Sequence, residues 1–398
     1  MVSNNKPQIR FKGFSDEWRK IRLGETVDYI KGFAFKSMSY RSQGIRIIRV
    51  SDLYRQSIKE NGDFIFIDID DSKKYKNYIV NKNEIIITTV GSKSVMKDSA
   101  VGRPIIVRED SVGLLNQNLV KLSGKDCFDI HFIYSQLLDE RYTYYISIVE
   151  RGNANQANIS LVDLWKYKIN IPTLEEQQKI GTFFKTLDET IALHQQKLDS
   201  TKQFKKAMLQ KMFPKKGENI PEIRFKWFSE EWEEAKLGDY CGIARGTLPA
   251  KTSEVIGKYP FYNTGKKALQ SNSYSIHTES SIIVSGHGSV GNIHFAKGRI
   301  GVSDGCYILD TNKLDIKFLY FTSKKYLSKH LNNKKTGTII SHTTKKDVES
   351  CKFYKPSLEE QEKIGFFFEG LEKTISLQEN KLDSYKQFKK AMLQKMFV

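Results

Sequence analysis

The residues that could do chemistry fall into small sets, and each fails a simple test for catalysis. Gly286-His287-Gly288-Ser289-Val290-Gly291 matches the GxGxxG pattern that can cradle a pyrophosphate. Such a site needs a helix after the glycines, so that its N-terminus faces the phosphates. Here NIHFAKGRIGVS follows, which reads as strand, so a Gly-rich hairpin turn is the better reading. His277, His287 and His294 lack the second cluster or carboxylate spacing of a metal site. Cys127, Cys241, Cys306 and Cys351 lie far apart, with no CxxC pair. No GxxxxGK[ST] phosphate loop occurs, no Asn-Pro-Pro-Tyr type of motif marks an amino-methyltransferase, and no Pro-Asp opens a nuclease core.

Polar loops remain, dense in side chains that bond phosphates and base edges. The candidates in the first half are Lys31, Lys36, Ser37, Tyr40, Arg46, Arg49, Thr88, Thr89, Ser92, Lys93, Arg103, Asn116, Gln117 and Asn118. In the second half they are Arg245, Thr247, Asn263, Thr264, Lys266, Lys267, Ser285, His287, Ser289 and Arg299. This is the chemistry of a reader, with no catalytic constellation.

The elements that must hold these loops follow from an internal repeat. Residues 172–213 and 356–397 align without gaps at 30 of 42 positions, and 7–24 and 221–238 at 11 of 18. The chain of 398 residues is therefore one plan used twice, joined by the polar stretch 214–221. Between the repeated ends lie 25–171 and 239–355, which do not match each other well. Ends kept alike beside divergent middles suit a shared scaffold serving two different targets.

The repeated segment 172–213 opens on Pro172 and early Glu175 and Glu176, and closes on Lys205, Lys206 and Lys211 before Pro214. Proline first, acids early and bases late predict a long helix over 174–212. A heptad-like seam runs Ile180, Phe184, Leu187, Ile191, His194, Leu198, Thr201, Lys205, Met208, Met212. Its copy runs Ile364, Phe368, Leu371, Ile375, Gln378, Leu382, Tyr385, Lys389, Met392, Met396. Spacing of three and four over several heptads predicts a coiled coil in which the two helices pair, with His194 setting register. Their direction is not readable from the residues.

The middles read as mainly β. Strands are expected at 45–53, 63–69, 84–91, 103–110 and 116–122, with a helix at 129–149. In the second middle they are expected at 280–286, 292–296, 299–304 and 306–310, with a helix near 315–331. Polar loops then lead to Asp163 and Asp347. The net charge of +18 is uneven: 239–355 carries +10 and 25–171 only +3. Such an excess points to a polyanion, nucleic acid first. No apolar run is long enough for a membrane helix, and the first residues lack a signal peptide's apolar core. With no cysteine pattern, these features lead to the expectation of a cytoplasmic protein without a membrane partner.

The whole chain resembles the specificity subunit of type I restriction–modification systems. The resemblance rests on the paired Pro-x-Leu-Glu-Glu-Gln helix starts (172–177, 356–361), their KQFKKAMLQKMF endings, the front repeats 7–24 and 221–238, and KGFAFKSMSY…IRIIRVSDL at 31–53. It implies an α+β fold: two mixed α/β target-recognition domains joined by two long antiparallel coiled-coil helices as a pseudo-two-fold tandem repeat. The implied domains are recognition domain 1 at 1–171 and a central spacer helix at 172–213. A linker at 214–221, recognition domain 2 at 222–355 and a C-terminal spacer helix at 356–398 complete the chain. Each recognition domain would read one half of a bipartite, asymmetric site on double-stranded DNA. The helices would dock two modification subunits, which methylate adenine with S-adenosylmethionine, and two restriction subunits would add ATP- and Mg-dependent cleavage. This chain would bind no cofactor or metal and carry no catalytic residue. A free-standing bipartite DNA-binding regulator is the alternative, and a single-chain DNA enzyme a more distant one.

Overall fold

The computed structural model describes residues 6–54, 57–93, 100–153, 156–337 and 341–397. The first five residues, and parts of the polar loops before Asp163 and Asp347, lie outside the described residues. The chain divides into two compact units, one of Met1–His194 with Lys381–Val398 and the other of Gln195–Asn380. The long helices are Leu174–Lys211 and Leu358–Met396, 38 and 39 residues, close to their expected bounds. At 1.5 Å per residue each is about 57 Å long. Each begins in one unit and ends in the other.

The repeated ends build the same core in each unit. In unit 1, Trp18 meets Phe132 at 5.8 Å and Phe397 at 6.2 Å, and Phe184 stacks on Phe397 at 5.6 Å. In unit 2, Trp232 meets Phe318 at 5.9 Å and Phe213 at 6.1 Å, and Phe213 lies 5.9 Å from Phe368. Each core thus takes the beginning of one long helix and the end of the other. Within unit 1, Asp188 bonds Lys389 at 2.5 Å and His194 stacks on Tyr385 at 5.1 Å. Within unit 2, Lys205 pairs with Glu372, and Lys202 with Glu379 at 2.6 Å. Numbers rise along one helix as they fall along the other, so the helix segments in each unit run antiparallel. Asp188 and Glu372 hold the same repeat position, as do Lys205 and Lys389. One contact is therefore made once in each unit. The seam positions Ile180, Phe184, Leu187, Leu198, Ile364, Phe368 and Leu382 are buried, and Ile191, Met208, Leu371, Ile375 and Met392 half-buried.

The Leu-Glu-Glu-Gln motif acquires a physical reason here. Glu176 accepts two hydrogen bonds from Arg10, both 2.7 Å, and Glu360 two from Arg224, at 2.8 and 2.7 Å. Gln177 accepts from the Asp129 N–H at 3.0 Å and donates to the Pro172 carbonyl at 3.0 Å. Gln361 repeats this with Asp315 and Pro356, at 3.1 and 2.9 Å. Asp129 and Asp315 in turn cap the helices Ile130–Leu137 and Ile316–Thr322. A Cβ on Gly181 would meet Asp129 Oδ1 at 2.2 Å, and one on Gly365 would meet Asp315 Oδ1 at 2.5 Å. Both copies therefore read Ile-Gly at this point.

The middles share a topology that their sequences conceal. In unit 1 a sheet orders Val27–Lys31, Leu119–Gly124, Ile85–Thr88 and Pro104–Ile106. A second orders Ile65–Ile67, Ile45–Ile48, Gly113–Leu115 and Ile79–Val80, with Ile45–Ile48 parallel to Gly113–Leu115. In unit 2 one sheet orders Gly242–Arg245, Cys306–Asp310, Ile276–Ser285, Ile293–Val302, Tyr259–Tyr262 and Leu269–Ser271, with Tyr259–Tyr262 parallel to Ile293–Val302. In both, the first strand pairs antiparallel with the last, and a short parallel pair lies beyond. Small two-stranded sheets (Arg19–Arg22 with Lys168–Ile171, Glu233–Lys236 with Lys352–Lys355) join the front repeat to the strand before each long helix.

Several expected elements differ. The helix expected at 129–149 is two, Ile130–Leu137 and Glu140–Val149, because Asp139 accepts the Arg141 N–H and caps a new start. The strands expected at 292–296 and 299–304 are one, Ile293–Val302. The strand expected at 63–69 shortens to Ile65–Ile67, because Asp68 accepts the Asp70 N–H and opens the short helix Ile69–Ser72. The helix near 315–331 contains a π-helical stretch at Ser323–Leu327 and runs on to Lys334.

Candidate nucleic-acid interface

In unit 2 the topology gathers loops from distant parts of the sequence at one end of the sheet. The chain leaves Gly242–Arg245 into Gly246-Thr247-Leu248, where Leu248 bridges Ser303. It leaves Tyr259–Tyr262 into Asn263–Lys267, where Asn263 Oδ1 accepts the Gly265 N–H at 2.8 Å. Asn292 donates to the Thr264 carbonyl at 3.1 Å, and His294 Nε2 lies 3.1 Å from the Gly265 carbonyl. The GxGxxG segment is the turn between Ile276–Ser285 and Ile293–Val302, with Gly288 and Gly291 at φ +62° and +82°. Its glycines admit this left-handed turn beside Thr264, whose Oγ1 would lie 3.4 Å from a Cβ on Gly288. Arg245, exposed, donates from Nε to the Asp304 carbonyl at 2.6 Å.

Arg245, Thr247, Asn263, Thr264, Lys266, Lys267, His287 and Ser289 are thus set on neighbouring loops, with Thr247, Lys266, Lys267 and Ser289 exposed. Burial, then Arg245 and His342, hold the His287 imidazole below its usual pKa. A neutral ring offers one donor and one acceptor, suited to a base edge. Two expected residues do not belong. Ser285 is buried and donates to the His287 carbonyl at 3.0 Å, so it braces the turn. Arg299 sits apart, with its guanidinium 5.4 Å from the centre of the Tyr274 ring. Sequence reasoning missed His342 and Thr336. His342 bridges His287 with ring centres 6.1 Å apart, and Thr336 Oγ1 lies 3.2 Å from His342 Nε2. Both came from a loop with no periodicity to signal them.

Unit 1 repeats the arrangement with other side chains. Phe33 bridges Asn116, the Thr89 N–H donates to the Asn118 carbonyl at 2.8 Å, and Ser92 bridges Ala100. Val90–Gly91 pairs with Ala157–Asn158, which pairs with Arg151–Gly152. Asn158 opposite Val90 corresponds to His342 opposite His287. The loops bearing Lys31, Ser92, Lys93, Asn116, Gln117 and Asn118 therefore share one end of the fold, with Lys31 and Gln117 exposed.

Four expected residues of unit 1 are committed to contacts within the fold. Thr88 and Thr89 are buried at the end of Ile85–Thr88, a strand covered on both faces. Arg46 is half-buried, its guanidinium 3.5 Å from the centre of the Phe64 ring and bonded to the Lys59 carbonyl at 2.8 Å. Arg49 pairs with Asp52 at 3.1 Å and donates to the Asp63 carbonyl at 2.7 Å. These hold the fold, and DNA contact by Arg46 or Arg49 would break those partnerships. Arg103 is half-buried on the turn beside Thr88. Lys36 and Ser37 are exposed on the loop after Val27–Lys31, and Tyr40 bonds the Phe35 carbonyl at 3.2 Å. The segment 29–49 carries five cations and no carboxylate, a local concentration that the near-neutral sum for 25–171 hid.

Residues 15–203 and 229–387 match the type I restriction modification DNA specificity domain, once in each half. The chain belongs to the type I restriction–modification specificity family. Members of this family are DNA-recognition subunits rather than catalysts. The chain is 23% identical over 333 residues to the MjaX type I restriction enzyme specificity subunit of Methanocaldococcus jannaschii, covering 79% of this chain and 78% of that one. It is 28% identical over 193 residues to the MjaVIII specificity subunit of the same organism, covering 46% and 45%. The crystal structure of a type I system S subunit from M. genitalium is similar in fold, with a TM-score of 0.70 at 17% identity over 99% of each chain. Among the described residues no three metal-ligating side chains gather, and no helix is long and apolar enough to cross a membrane.

Proposed function

We propose that this specificity subunit reads a bipartite DNA site, one half with each loop cluster, and carries modification and restriction subunits to it. The observation that supports this reading most is the pair of equivalent loop clusters on one shared topology, lined by different side chains. One chain built this way has two readers of different sequence on a repeated frame. The phosphate attraction comes from Lys31 and Lys36 in one unit and Arg245, Lys266 and Lys267 in the other, so affinity should fall steeply with salt. The chemistry of methylation and cleavage would lie in partners using S-adenosylmethionine, ATP and Mg.

The docking surfaces we favour are two equivalent apolar clefts. Phe11, Lys179, Phe183 and Thr186 line one in unit 1; Phe225, Lys363, Phe367 and Gly370 line the other in unit 2. Equivalent clefts suit two copies of one partner, here the modification subunit. Stable co-purification with two methyltransferase chains supports this, whereas a lone chain bound to a promoter favours the free-standing regulator.

The function is tested through the helices. Inserting one heptad in each, after Leu193 and after Leu377, keeps the seam in phase and lengthens each helix by about 10 Å. The methylated site should keep both half-sequences and gain a longer unread spacer, by up to about three base pairs. Altered half-sites with an unchanged spacer would contradict the reading.

A further inference from the structure

The loop that follows the first sheet strand carries an unusual tip in both units. In unit 1 it runs from Val27–Lys31 through the 3-10 turn Ser37–Ser39 to Ile45–Ile48. In unit 2 it runs from Gly242–Arg245 through Ala250–Thr252 to Tyr259–Tyr262. Met38 is 79% exposed on the first, and Val255 and Ile256 are 96% and 84% exposed on the second. A single exposed apolar side chain needs no explanation. Here the same loop bears one in each unit, and Val255 and Ile256 adjoin each other.

The surroundings indicate what covers them. Met38 lies between Lys36 and Arg41, both exposed. Arg41 donates from Nη1 to the Met38 carbonyl at 3.1 Å and the Tyr40 carbonyl at 2.9 Å, which ties its cation to the tip. Val255 and Ile256 lie between the exposed Lys251 and Lys258. The one carboxylate there, Glu254, accepts a hydrogen bond from Asn272 at 2.6 Å. An apolar tip flanked by cations matches a nucleic-acid groove, where phosphates border sugar walls and a side chain can wedge between base steps. Methionine and isoleucine are among the side chains that proteins press into it.

We infer that Met38 in unit 1 and Val255-Ile256 in unit 2 are apolar tips that enter a groove of the DNA duplex, one at each half-site. The inference rests on the DNA-reading function proposed above. Charge sets it against a protein partner, because cations flank each tip in the sequence, Lys36 and Arg41 at one and Lys251 and Lys258 at the other, whereas the clefts on the long helices are largely apolar.

The test uses the full chain assembled with its methyltransferase subunits and a duplex bearing the methylated site. Met38→Ser and the double variant Val255→Ser/Ile256→Ser remove exposed side chains, so assembly, followed by size-exclusion chromatography, should be unchanged. Met38→Ser should weaken binding about tenfold, the effect of losing one part-buried apolar contact, and the double variant by about tenfold or more. Because no cation is lost, the slope of log affinity against log salt should stay the same. Lys258→Ala, by contrast, should lower that slope by about one. Wild-type affinity in both serine variants overturns the inference, as does weakened assembly with DNA affinity intact, which would assign the tips to a protein partner. If the unaltered complex does not bind the duplex, the DNA-reading function itself fails.

Discussion

Replacing residues 239–355 with the corresponding segment of another specificity subunit changes one half of the methylated site and leaves the other half as it was. The expectation follows from the way each unit is built. The second loop cluster draws on Arg245, Asn263–Lys267, the 286–291 turn and His342, all inside the exchanged segment. The frame beside this segment is built by the repeated parts. Arg224 with Glu360, Gln361 with Pro356, and the Trp232, Phe213 and Phe368 core mostly stay behind. Asp315 and Phe318 leave with the segment, so the donor must supply its own capping Asp and aromatic at those positions. Unit 1 keeps its own core of Trp18, Phe132, Phe184 and Phe397. Mapping methylated adenines in cells that carry the exchanged chain reads the outcome. A change in both half-sites would show that the two loop clusters do not read independently.

Arg224→Ala destabilises unit 2 by about 3–5 kcal/mol, because it strands the Glu360 carboxylate, 1% exposed, without its partner. The double variant Arg224→Met/Glu360→Leu should recover most of that loss, since an apolar pair of similar volume removes the uncompensated charge. Hydrogen exchange in the first turns of Leu358–Met396 separates the two, with faster exchange in the single variant and near-native protection in the double. The equivalent change at Arg10 should act on unit 1 instead, through Glu176. Equal loss in the single and double variants would mean that the pair acts by geometry rather than by charge compensation.

The frame of this molecule was legible in the sequence because its contacts were written twice. The repeat placed both long helices to within a residue or two, and the shared Leu-Glu-Glu-Gln and Ile-Gly motifs record contacts that recur in each unit. The kinship of the middles was not legible. Strand pairing is set by backbone hydrogen bonds and alternating burial, which different residues satisfy equally well, so Asn158 and His342 hold one position without resembling each other. Residue type also misled where burial decided the role. Thr88 and Ser285 are polar, yet each ends a run buried on both faces, 85–88 and 281–285, where period-two alternation vanishes. Arg46 and Arg49 have side chains long enough to turn back onto Phe64 and Asp52, a fold-back that spacing does not reveal. His342 entered the cluster through pairing with a residue 55 positions earlier.

The most direct test of two readers on one repeated frame is a genome-wide map of methylated adenine with and without this gene. One class of site should disappear with the gene. That site should consist of two unlike specific sequences separated by a spacer of fixed length and unrestricted sequence. An unchanged methylation map, or the loss of a single uninterrupted or palindromic motif, would contradict it.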